Sequence, residues 1–438
     1  MHRNRLLTGW RTDSYRRSDS YPRPDSYPRA LVGVLLVLLV SSAPLVGCGS
    51  EPTATPTPTK TPTLPPVSTV TPSPTPVPPT ATATGTATPT STPTPTRTAT
   101  PTSTPTPDPI VKMGPDVNPL TGQKVDDPEK LDRRPLAIKV PNFPPEARPQ
   151  WGLSEADVVI EHEAEGYLTR FTAIYLGGDV TPRLGPVRSL RLIDAELVPI
   201  FKAVLVASGG HPAVKIMITE GKPWAEGYAR IICPEAPFYS DGGALRRIPE
   251  AGRLYELTMY TDTDSLWEVI SKREINERQD FHDMWLFSEM APEGGTEASG
   301  VEVVYRKTVE EALYKYDEET QTYKRFDVGQ PLKDAVTDEQ IAVSNVLVLY
   351  VNHVDTDIAA DTHDPNKTWY AVSIQLWGSG PAKLFRDGKV YEAKWVRENP
   401  QGPDDRLIIV GEEGNQIPFR PGKTWIQLVR LDGKVTVQ

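Results

Sequence analysis

The fold is decided by the stretch YLTRFTAIYLGGDVTPRLGPVRSLRLIDAELVPIFKAVLVASGGHP, residues 167–212. Residues 169–176 have the apolar and β-branched character of a strand. From Ser189 onward, apolar residues recur at helical spacing, and a serine at the N-cap can accept hydrogen bonds from the free amides of the first turn. Residues 203–207 then form a continuous apolar run typical of a buried strand. A strand, a helix and a strand in this order predict a right-handed parallel crossover.

Two further strands are predicted upstream of this unit. Residues 136–140 (LAIKV) and 157–162 (DVVIEH) are short, mostly apolar runs. The second lies close enough to residues 169–176 to form an antiparallel hairpin with them. We therefore expect residues 110–290 to form an α/β domain built on a mixed sheet with at least one parallel crossover.

The remainder of the chain follows a different pattern. Residues 291–300 (APEGGTEASG) are polar, glycine-rich and without hydrophobic periodicity, which indicates a linker. Beyond them, short apolar runs alternate with turn signals, among them Asp387-Gly388 and Asp432-Gly433, both typical of hairpin turns. Residues 301–438 are therefore predicted to form a second, mainly β domain.

The N-terminus has the pattern of an export signal. Residues 30–40 (ALVGVLLVLLV) form an apolar core of signal-peptide length, shorter than the roughly 20 residues of a membrane span. Leu45-Val46-Gly47-Cys48 resembles the lipobox of bacterial lipoproteins. By that resemblance, residues 1–47 are a signal peptide and the Cys48 thiol carries a diacylglyceryl anchor of palmitate type. The alternative is an ordinary secretory signal or an uncleaved anchor.

A long spacer separates Cys48 from the predicted domains. Within residues 48–109, the part from 51 onward is almost wholly Thr, Pro, Ser and Ala, with repeated Thr-Pro dipeptides. Such a segment cannot bury a core and favours extended polyproline II, because proline fixes φ and removes donors. At ~3.1 Å per residue its reach approaches ~180 Å. We predict a disordered tether that displays the domains on the extracytoplasmic face of the cell membrane.

The distribution of charge excludes one class of partner. The whole chain has a net charge of −10, but residues 110–438 carry 38 basic and 52 acidic side chains, a net charge of −14. Such a body disfavours nonspecific binding of nucleic acid, so an anionic ligand would need a local cationic pocket. Cys233 is the only cysteine of this part, and its Ile-Ile-Cys-Pro context favours a buried structural thiol.

A candidate anion site follows from the predicted crossover. Parallel strands would place the loops after residues 176 and 207 at the same carboxyl edge of the sheet, where ligands bind in α/β folds. Free helical amides and arginine forks at that edge bind carboxylate or phosphate. The candidates are Arg188, Ser189 and Arg191 in the first loop and Gly209, Gly210 and His211 in the second. In the alternative, the two arginines form ion pairs with Asp194, Glu196 or the hairpin acids, and the glycines only form a turn.

A second, acidic group lies on the predicted hairpin. It consists of Glu161, His162, Glu163 and Glu165, followed by Thr169-Arg170. Such a group could hold a divalent cation or supply a general base, and exposed carboxylates on a strand are the alternative. The predicted topology places it at the opposite sheet edge from Arg188, so we expect no joint acid/base site. Glu161, Glu165 and Arg170 remain secondary candidates.

No motif indicates a bound metal or cofactor. The sequence contains no P-loop, no dinucleotide fingerprint, no nucleophile elbow and no zinc-protease spacing. We therefore predict neither a metal nor a cofactor. The absence of these signatures lowers the expectation of an enzyme and leaves catalysis undecided.

Several motifs resemble the YerB-like bacterial lipoproteins. They are Asn118-Pro119-Leu120-Thr121-Gly122, Arg134-Pro135, Ala156-Asp157-Val158-Val159, Glu165-Gly166, Thr169-Arg170-Phe171, Gly185-Pro186-Val187-Arg188-Ser189-Leu190-Arg191 and Pro421-Gly422-Lys423-Thr424-Trp425. The resemblance covers residues 116–290 and extends to the second domain. It implies N- and C-terminal domains of unknown function. The chain departs from the family pattern at Glu161-His162-Glu163 and at His211, so nothing is carried over to those positions.

Two classes of function follow. The first is a noncatalytic envelope module that binds a cell-wall glycan, a peptide stem or an envelope protein, and the missing catalytic signatures favour it. The alternative is an enzyme of phosphotransferase type that acts on an anionic cell-wall precursor, with arginines holding a lipid pyrophosphate.

Overall fold

A computed structural model of the protein describes residues 110–438 apart from 283, 362–367 and 403. The predicted signal peptide, the lipidated Cys48 and the tether lie outside the described residues. Among the described helices, none is both long and apolar enough to cross a membrane.

The part of the chain up to residue 290 mixes strands and helices. Its strands are β1 (Leu136–Pro141), β2 (Val158–Glu165), β3 (Leu168–Tyr175), β4 (Val204–Val206), β5 (Ile231–Ile232), β6 (Arg246–Arg247) and β7 (Met259–Tyr260). Its α-helices are α1 (Asp194–Ile200), α2 (Pro212–Thr219) and α3 (Thr263–Lys272). The predicted α/β character of this part is confirmed.

The part of the chain after residue 290 is built from strands, as predicted. They are β8 (Thr296–Glu297), β9 (Gly300–Arg306), β10 (Glu310–Asp317), β11 (Thr322–Asp327), β12 (Gln330–Pro331), β13 (Ala342–Val343), β14 (Asn345–Val351), β15 (His353–Asp361), β16 (Trp369–Ile374), β17 (Gly378–Arg386), β18 (Lys389–Arg397), β19 (Ile408–Val410), β20 (Thr424–Arg430) and β21 (Lys434–Val437).

One large mixed sheet contains strands from both parts of the chain. Its strand order is β19-β18-β17-β14-β20-β2-β3-β1-β4-β5, and β8 pairs with β18. Strands β2 and β20 pair in parallel, with Val158 opposite Thr424, and β14 pairs in parallel with the other side of β20. The division at residues 291–300 stays a prediction about chain segments, and the segments on either side of it share this sheet.

The predicted hairpin is confirmed, since strands β2 and β3 pair antiparallel with Val158 opposite Ile174. The parallel crossover predicted from residues 169–176 to residues 203–207 is wrong. Strand β4 pairs in parallel with β1, with Leu136 opposite Val204, and β1 itself runs antiparallel to β3. Because β1 lies between β3 and β4, the loops after residues 176 and 207 begin at opposite edges. The end of β4 instead shares its edge with the β2–β3 turn.

The helix predicted from Ser189 begins later. Its first residue is Asp194 and its N-cap is Ile193, so the prediction of Ser189 as N-cap is wrong. Residues 188–190 are held by other backbone groups: the Arg188 amide donates to the Lys139 carbonyl at 2.8 Å, and the Leu190 amide donates to Gly209 at 3.0 Å. Because of these bonds the helix begins at a later residue, and the segment is attached to β1 and to the loop after β4.

The two faces of the large sheet are covered by different layers. A second sheet, in the order β12-β11-β10-β9-β21 with β13 beside β11, packs on one face, where the Trp425 ring contacts both Phe171 and Tyr314. Helix α1 packs on the other face, where its Leu197 lies in the same buried cluster as Ile160. Successive residues of a strand point to opposite faces, so neighbouring positions of β1, β2 and β3 enter different layers.

Two sequence predictions about turns have different outcomes. Asp387 and Gly388 form the hairpin turn between β17 and β18, both with φ in the left-handed region at 52° and 70°. Asp432 and Gly433 also form a turn, but it carries the chain from β20 in the large sheet to β21 in the second sheet. The hairpin prediction is therefore wrong at the second position, because the two strands pair with different neighbours.

The Cys233 thiol is buried, as its context predicted. It follows β5 directly, and burial raises its pKa to about 11. A thiol with a raised pKa is poorly nucleophilic at neutral pH, which fits a structural role.

Candidate functional site

The polar candidates converge on one edge of the large sheet. Pro141 at the end of β1 lies opposite Arg170, Glu165 at the end of β2 lies opposite Leu168, and Val206 at the end of β4 lies beside Ile138. We call this the polar edge. The prediction that the hairpin acids and Arg188 lie at opposite edges is wrong, because the segment after β3 runs back along the sheet. There the Arg188 amide donates to the Lys139 carbonyl and the Leu190 amide donates to the Gly209 carbonyl.

Three arginines gather around one carboxylate at the polar edge, and we call Arg170, Arg188, Arg191 and Glu165 the arginine cluster. Arg191 Nε donates to Glu165 Oε2 at 2.6 Å, and its Nη2 donates to Oε1 of the same carboxylate. Arg170 Nη2 lies 4.0 Å from Glu165 Oε1, while its Nη1 donates to the Ser189 carbonyl at 2.8 Å. Arg188 Nη1 donates to the Glu256 carbonyl at 3.4 Å.

Positive charge exceeds negative charge in the arginine cluster. Burial raises the pKa of Glu165, but the charges of Arg191, Arg170 and Arg188 outweigh it and lower that pKa to about 2. Burial and the neighbouring charge of Arg191 hold the pKa of Arg170 well below its usual range. The Nε of Arg170 is buried and has no hydrogen-bond partner among the described residues. The cluster therefore has a guanidinium donor and positive charge that Glu165 alone does not satisfy.

The glycine loop after β4 adjoins the arginine cluster through Leu190. The Gly210 amide donates to Glu235 Oε2 at 3.1 Å, and Lys215 Nζ donates to the same oxygen at 2.7 Å. A Cβ at Gly210 would lie 2.7 Å from Leu190 Cδ1, so this close approach requires glycine. His211 is the N-cap of α2, where its Nδ1 accepts from the Ala213 amide at 3.2 Å.

A buried lysine on the helix-covered face was missed by the sequence analysis. Lys139 Nζ lies 2.6 Å from Asp194 Oδ1, 3.0 Å from His162 Nε2 and 2.5 Å from Thr172 Oγ1. We call these four residues the Lys139 cluster, and each is fully buried. The only signal was a lysine within the otherwise apolar run LAIKV.

The hydrogen bonds of the Lys139 cluster define its protonation. The three acceptors around Lys139 Nζ match the three hydrogens of its ammonium group. His162 Nδ1 lies 3.0 Å from the Glu163 carbonyl, to which it donates. His162 is therefore neutral with its proton on Nδ1. Burial lowers the pKa of Lys139 to about 8 against the opposing effect of Asp194, and burial with the Lys139 charge lowers the pKa of His162. The cluster is satisfied internally and joins β1, β2 and β3 to α1.

Glu161 lies on the opposite face of β2 from the Lys139 cluster. Its Oε2 accepts from Arg325 Nη2 at 3.0 Å and from Gln427 Nε2 at 2.8 Å. Only 1 % of its surface is exposed. Glu161 therefore connects β2 to β11 and β20, and it is not part of the arginine cluster.

The Thr169 hydroxyl lies between the carboxyl groups of Glu161 and Glu310. Thr169 Oγ1 is 2.9 Å from Glu161 Oε1 and 2.8 Å from Glu310 Oε2, while Asn142 Nδ2 donates to Thr169 Oγ1 at 2.9 Å and to Glu310 Oε2 at 2.7 Å. We call Asn142, Glu161, Thr169 and Glu310 the Glu310 cluster. A hydroxyl has one proton, so it can donate to only one of the two carboxyl groups, and the other must itself be protonated.

The protonated member of this pair is Glu310. Burial, followed by the charge of Asp327, raises the pKa of Glu310 to about 8. Glu310 therefore holds a proton at neutral pH, and the Thr169 hydroxyl lies between it and Glu161, which is ion-paired to Arg325. This chain of hydrogen bonds links residues from both sides of the predicted linker.

The structure thus brings together Glu165, Arg170, Arg188, Ser189 and Arg191, with Gly209 and Gly210 beside them. His211 is the N-cap of α2, and Glu161 faces the second sheet. In the described part of the chain, no group of three or more His, Cys, Asp or Glu side chains is arranged to hold a metal ion.

Comparisons with known proteins match both parts of the chain. Two family models described as protein of unknown function (DUF3048) match it, the N-terminal domain over residues 120–276 and the C-terminal domain over residues 301–426. A relative from Bacillus subtilis (strain 168), named "Putative lipoprotein YerB", is 30% identical over 315 residues, which cover 71% of this chain and 85% of the relative. The crystal structure of the YerB protein from Bacillus subtilis has a TM-score of 0.57 and 28% identity, and the match covers 73% of this chain and 99% of that one.

Proposed function

Because this chain belongs to the YerB-like family with DUF3048 N- and C-terminal domains, we propose that it is a cell-envelope lipoprotein that binds an anionic cell-wall component at the arginine cluster. In this proposal the binding is noncatalytic, and the bound component is a wall glycan, a peptide stem or an envelope partner that carries negative charge. The observation that carries it is that Arg170 and Arg191 meet a single carboxylate, while the buried Arg170 Nε has no hydrogen-bond partner among the described residues.

The anchor is the part of the proposal that rests on sequence. Cys48 follows a lipobox-like segment, and the relative from Bacillus subtilis is named as a lipoprotein. A thioether-linked lipid on Cys48 would hold the protein at the extracytoplasmic face, since each buried methylene contributes ~0.8 kcal/mol to membrane binding.

Substitution of Cys48 by serine is expected to move the protein from the membrane fraction to the soluble fraction, because serine cannot form the thioether. Cell fractionation with palmitate labelling measures this directly. Cys233→Ser is the matched control, and it should stay at the membrane and keep its label. A Cys48→Ser protein that remains membrane-bound would contradict lipid anchoring at this residue.

Anion binding at the arginine cluster follows from its electrostatics. Guanidinium groups in a poorly hydrated site attract anions more strongly than they do in water, because the local dielectric constant is lower. The body around the cluster is acidic overall, so the cluster is a local exception to its charge. Such an exception favours a specific anionic partner over nonspecific attraction.

Arg188→Ala is expected to abolish the rise in melting temperature that anionic wall fragments give the wild-type chain. The Glu165 carboxylate is held by Arg191 Nε and Nη2, so removal of Arg188 leaves that pair in place. Ligand binding to the folded state raises the melting midpoint by mass action, which a thermal-shift titration measures. Arg278→Ala, a half-exposed arginine paired with Asp132, is the control. Equal shifts in Arg188→Ala and wild type would refute the site.

The enzymatic alternative has one observation in its favour, since the hairpin acids share the polar edge with the arginines. Against it, Lys139, His162 and Glu161 are buried and bonded within the protein. A general acid or base must reach the proton that it transfers. Release of phosphate from a lipid pyrophosphate by the wild-type chain, lost in Arg188→Ala, would establish the enzyme instead.

A further inference from the structure

Glu165 occupies the place that an external anion would take in the arginine cluster. We propose that the group recognised there is a phosphoryl dianion, which binds by displacing the Glu165 carboxylate from Arg191. This inference rests on the proposed function and specifies the chemistry of its ligand.

The Arg191–Glu165 contact has the geometry of ligand recognition. Arg191 meets the carboxylate through Nε and Nη2, the two-point arrangement by which arginine binds carboxylate and phosphate groups. The Glu165 and Arg191 side chains are 9 % and 12 % exposed, so this pair lies where the cluster meets solvent. An anion from solution therefore encounters Arg191 together with its internal partner.

The balance of charges in the arginine cluster favours a divalent anion over a monovalent one. Arg170 and Arg191 both lie against the single Glu165 carboxylate, whereas the Lys139 charge is paired with Asp194 and the Glu163 charge with Arg430. A monovalent carboxylate that exchanged with Glu165 would leave the same surplus of one positive charge on these two arginines. A phosphate monoester carries about −1.5 to −2 at neutral pH, so the same exchange would neutralise more of the surplus.

The number of acceptor atoms leads to the same conclusion. Arg170 Nε is buried without a hydrogen-bond partner, and the Arg170 side chain is 6 % exposed. A carboxylate has two oxygens, and Arg191 engages both in the structure. A phosphoryl group presents three acceptor oxygens, so it can bind Arg191 at two points and still offer an oxygen to Arg170.

The position of Glu165 in the fold permits the exchange. It is the last residue of β2 and precedes the turn at Gly166 and Tyr167, whose φ angles are 60° and 63°. Tyr167 is 47 % exposed, so solvent reaches this turn. The Glu165 side chain can rotate away from Arg191 without breaking the ladder between β2 and β3, which is formed by backbone groups.

The test is a calorimetric titration of the full chain with pyrophosphate, phenyl phosphate and acetate. Wild type is expected to bind the two phosphoryl compounds and not acetate. Glu165→Gln removes the competing charge, so its affinity for pyrophosphate should rise about tenfold, equivalent to ~1.4 kcal/mol. Arg191→Ala should lose binding. Glu268→Gln, which alters an exposed carboxylate paired with Lys272 on α3, should leave the affinity within about twofold of wild type.

Each result has a defined meaning. If Glu165→Gln gains affinity for acetate as strongly as for pyrophosphate, the cluster binds anions but does not prefer a phosphoryl group. If Glu165→Gln binds pyrophosphate no better than wild type, the anion does not displace Glu165. If neither wild type nor any variant binds an anion, the proposed function itself is wrong. Glu165→Asp, with a shorter carboxylate, is expected to show a smaller gain and serves if Glu165→Gln does not fold.

Discussion

Replacement of Lys139 by alanine is expected to lower the free energy of unfolding by about 3–5 kcal/mol, because it leaves the fully buried Asp194 carboxylate without its cation. The same change removes the proton donor of His162 Nε2 and Thr172 Oγ1. Asp194 also accepts from the Arg191 amide at 2.7 Å, so the loss should loosen the start of α1 and the segment that carries the arginine cluster. Urea denaturation followed by tryptophan fluorescence measures the change.

A double variant separates charge from packing in this prediction. Lys139→Met with Asp194→Leu removes both charges, and buried pairs replaced by apolar side chains are often neutral in stability, so this protein should recover much of the loss. Lys124→Ala, which breaks an exposed pair with Asp116, should leave the urea midpoint unchanged. A Lys139→Ala protein as stable as wild type would show that the buried ammonium is not needed for the fold.

The second large effect is a loss of stability with rising pH through Glu310. Its pKa is raised from the ordinary 4.5 to about 8 in the folded protein. Below pH 4.5 both states hold the proton, and between pH 4.5 and 8 only the folded state does. Unfolding releases the proton in that window, so stability falls as pH rises. The total is about 3–5 kcal/mol, from ~1.4 kcal/mol for each unit of pKa shift.

Glu310→Gln is expected to remove this dependence. A neutral amide cannot ionise, and its NH2 group can donate to Thr169 Oγ1 in place of the carboxyl proton. The variant should therefore be more stable than wild type at pH 8 and close to it at pH 4.5. Urea titrations at several pH values provide the measurement, with Glu318→Gln in an exposed turn as control. Parallel pH curves for Glu310→Gln and wild type would show that Glu310 is ionised in the fold.

The Glu310 cluster connects the pH prediction to the architecture. Asn142, Glu161 and Thr169 come from the N-terminal part, and Glu310 comes from the second sheet. Ionisation of Glu310 would place two carboxylates against a single hydroxyl proton at the contact between the two parts. Ionisation of Glu310 at alkaline pH should therefore weaken that contact.

Local patterns predicted the elements of the fold with good accuracy. Alternation and apolar runs identified β1, the β2–β3 hairpin and β4, because each depends on neighbouring residues and a short turn. The N-cap of α1 was misplaced by four residues, from Ser189 to Ile193. Its true position depends on bonds from residues 188 and 190 to Lys139 and Gly209, which local periodicity does not report.

The composition of the candidate site was only partly predictable. Arg188, Arg191 and Glu165 were identified by residue type, but they were assigned to opposite edges. Strand β1 lies between β3 and β4, so the end of β4 shares an edge with the β2–β3 turn. The segment after β3 returns to that edge, where residues 188 and 190 bond Lys139 and Gly209. Glu161 and Glu165 looked like one acidic group in sequence, yet Glu161 bonds Arg325 and Glu165 bonds Arg191.

By itself, the sequence predicted an export signal, a lipidation site at Cys48 and a tether, and it contained the family motifs, because each of these patterns consists of contiguous residues. Only the tertiary structure decided which charges meet. Lys139 lies 55 positions from Asp194, and Thr169 lies 141 positions from Glu310. Pairs so far apart are set by the order of strands in a sheet, and that order is chosen by the burial of whole faces rather than by any local segment.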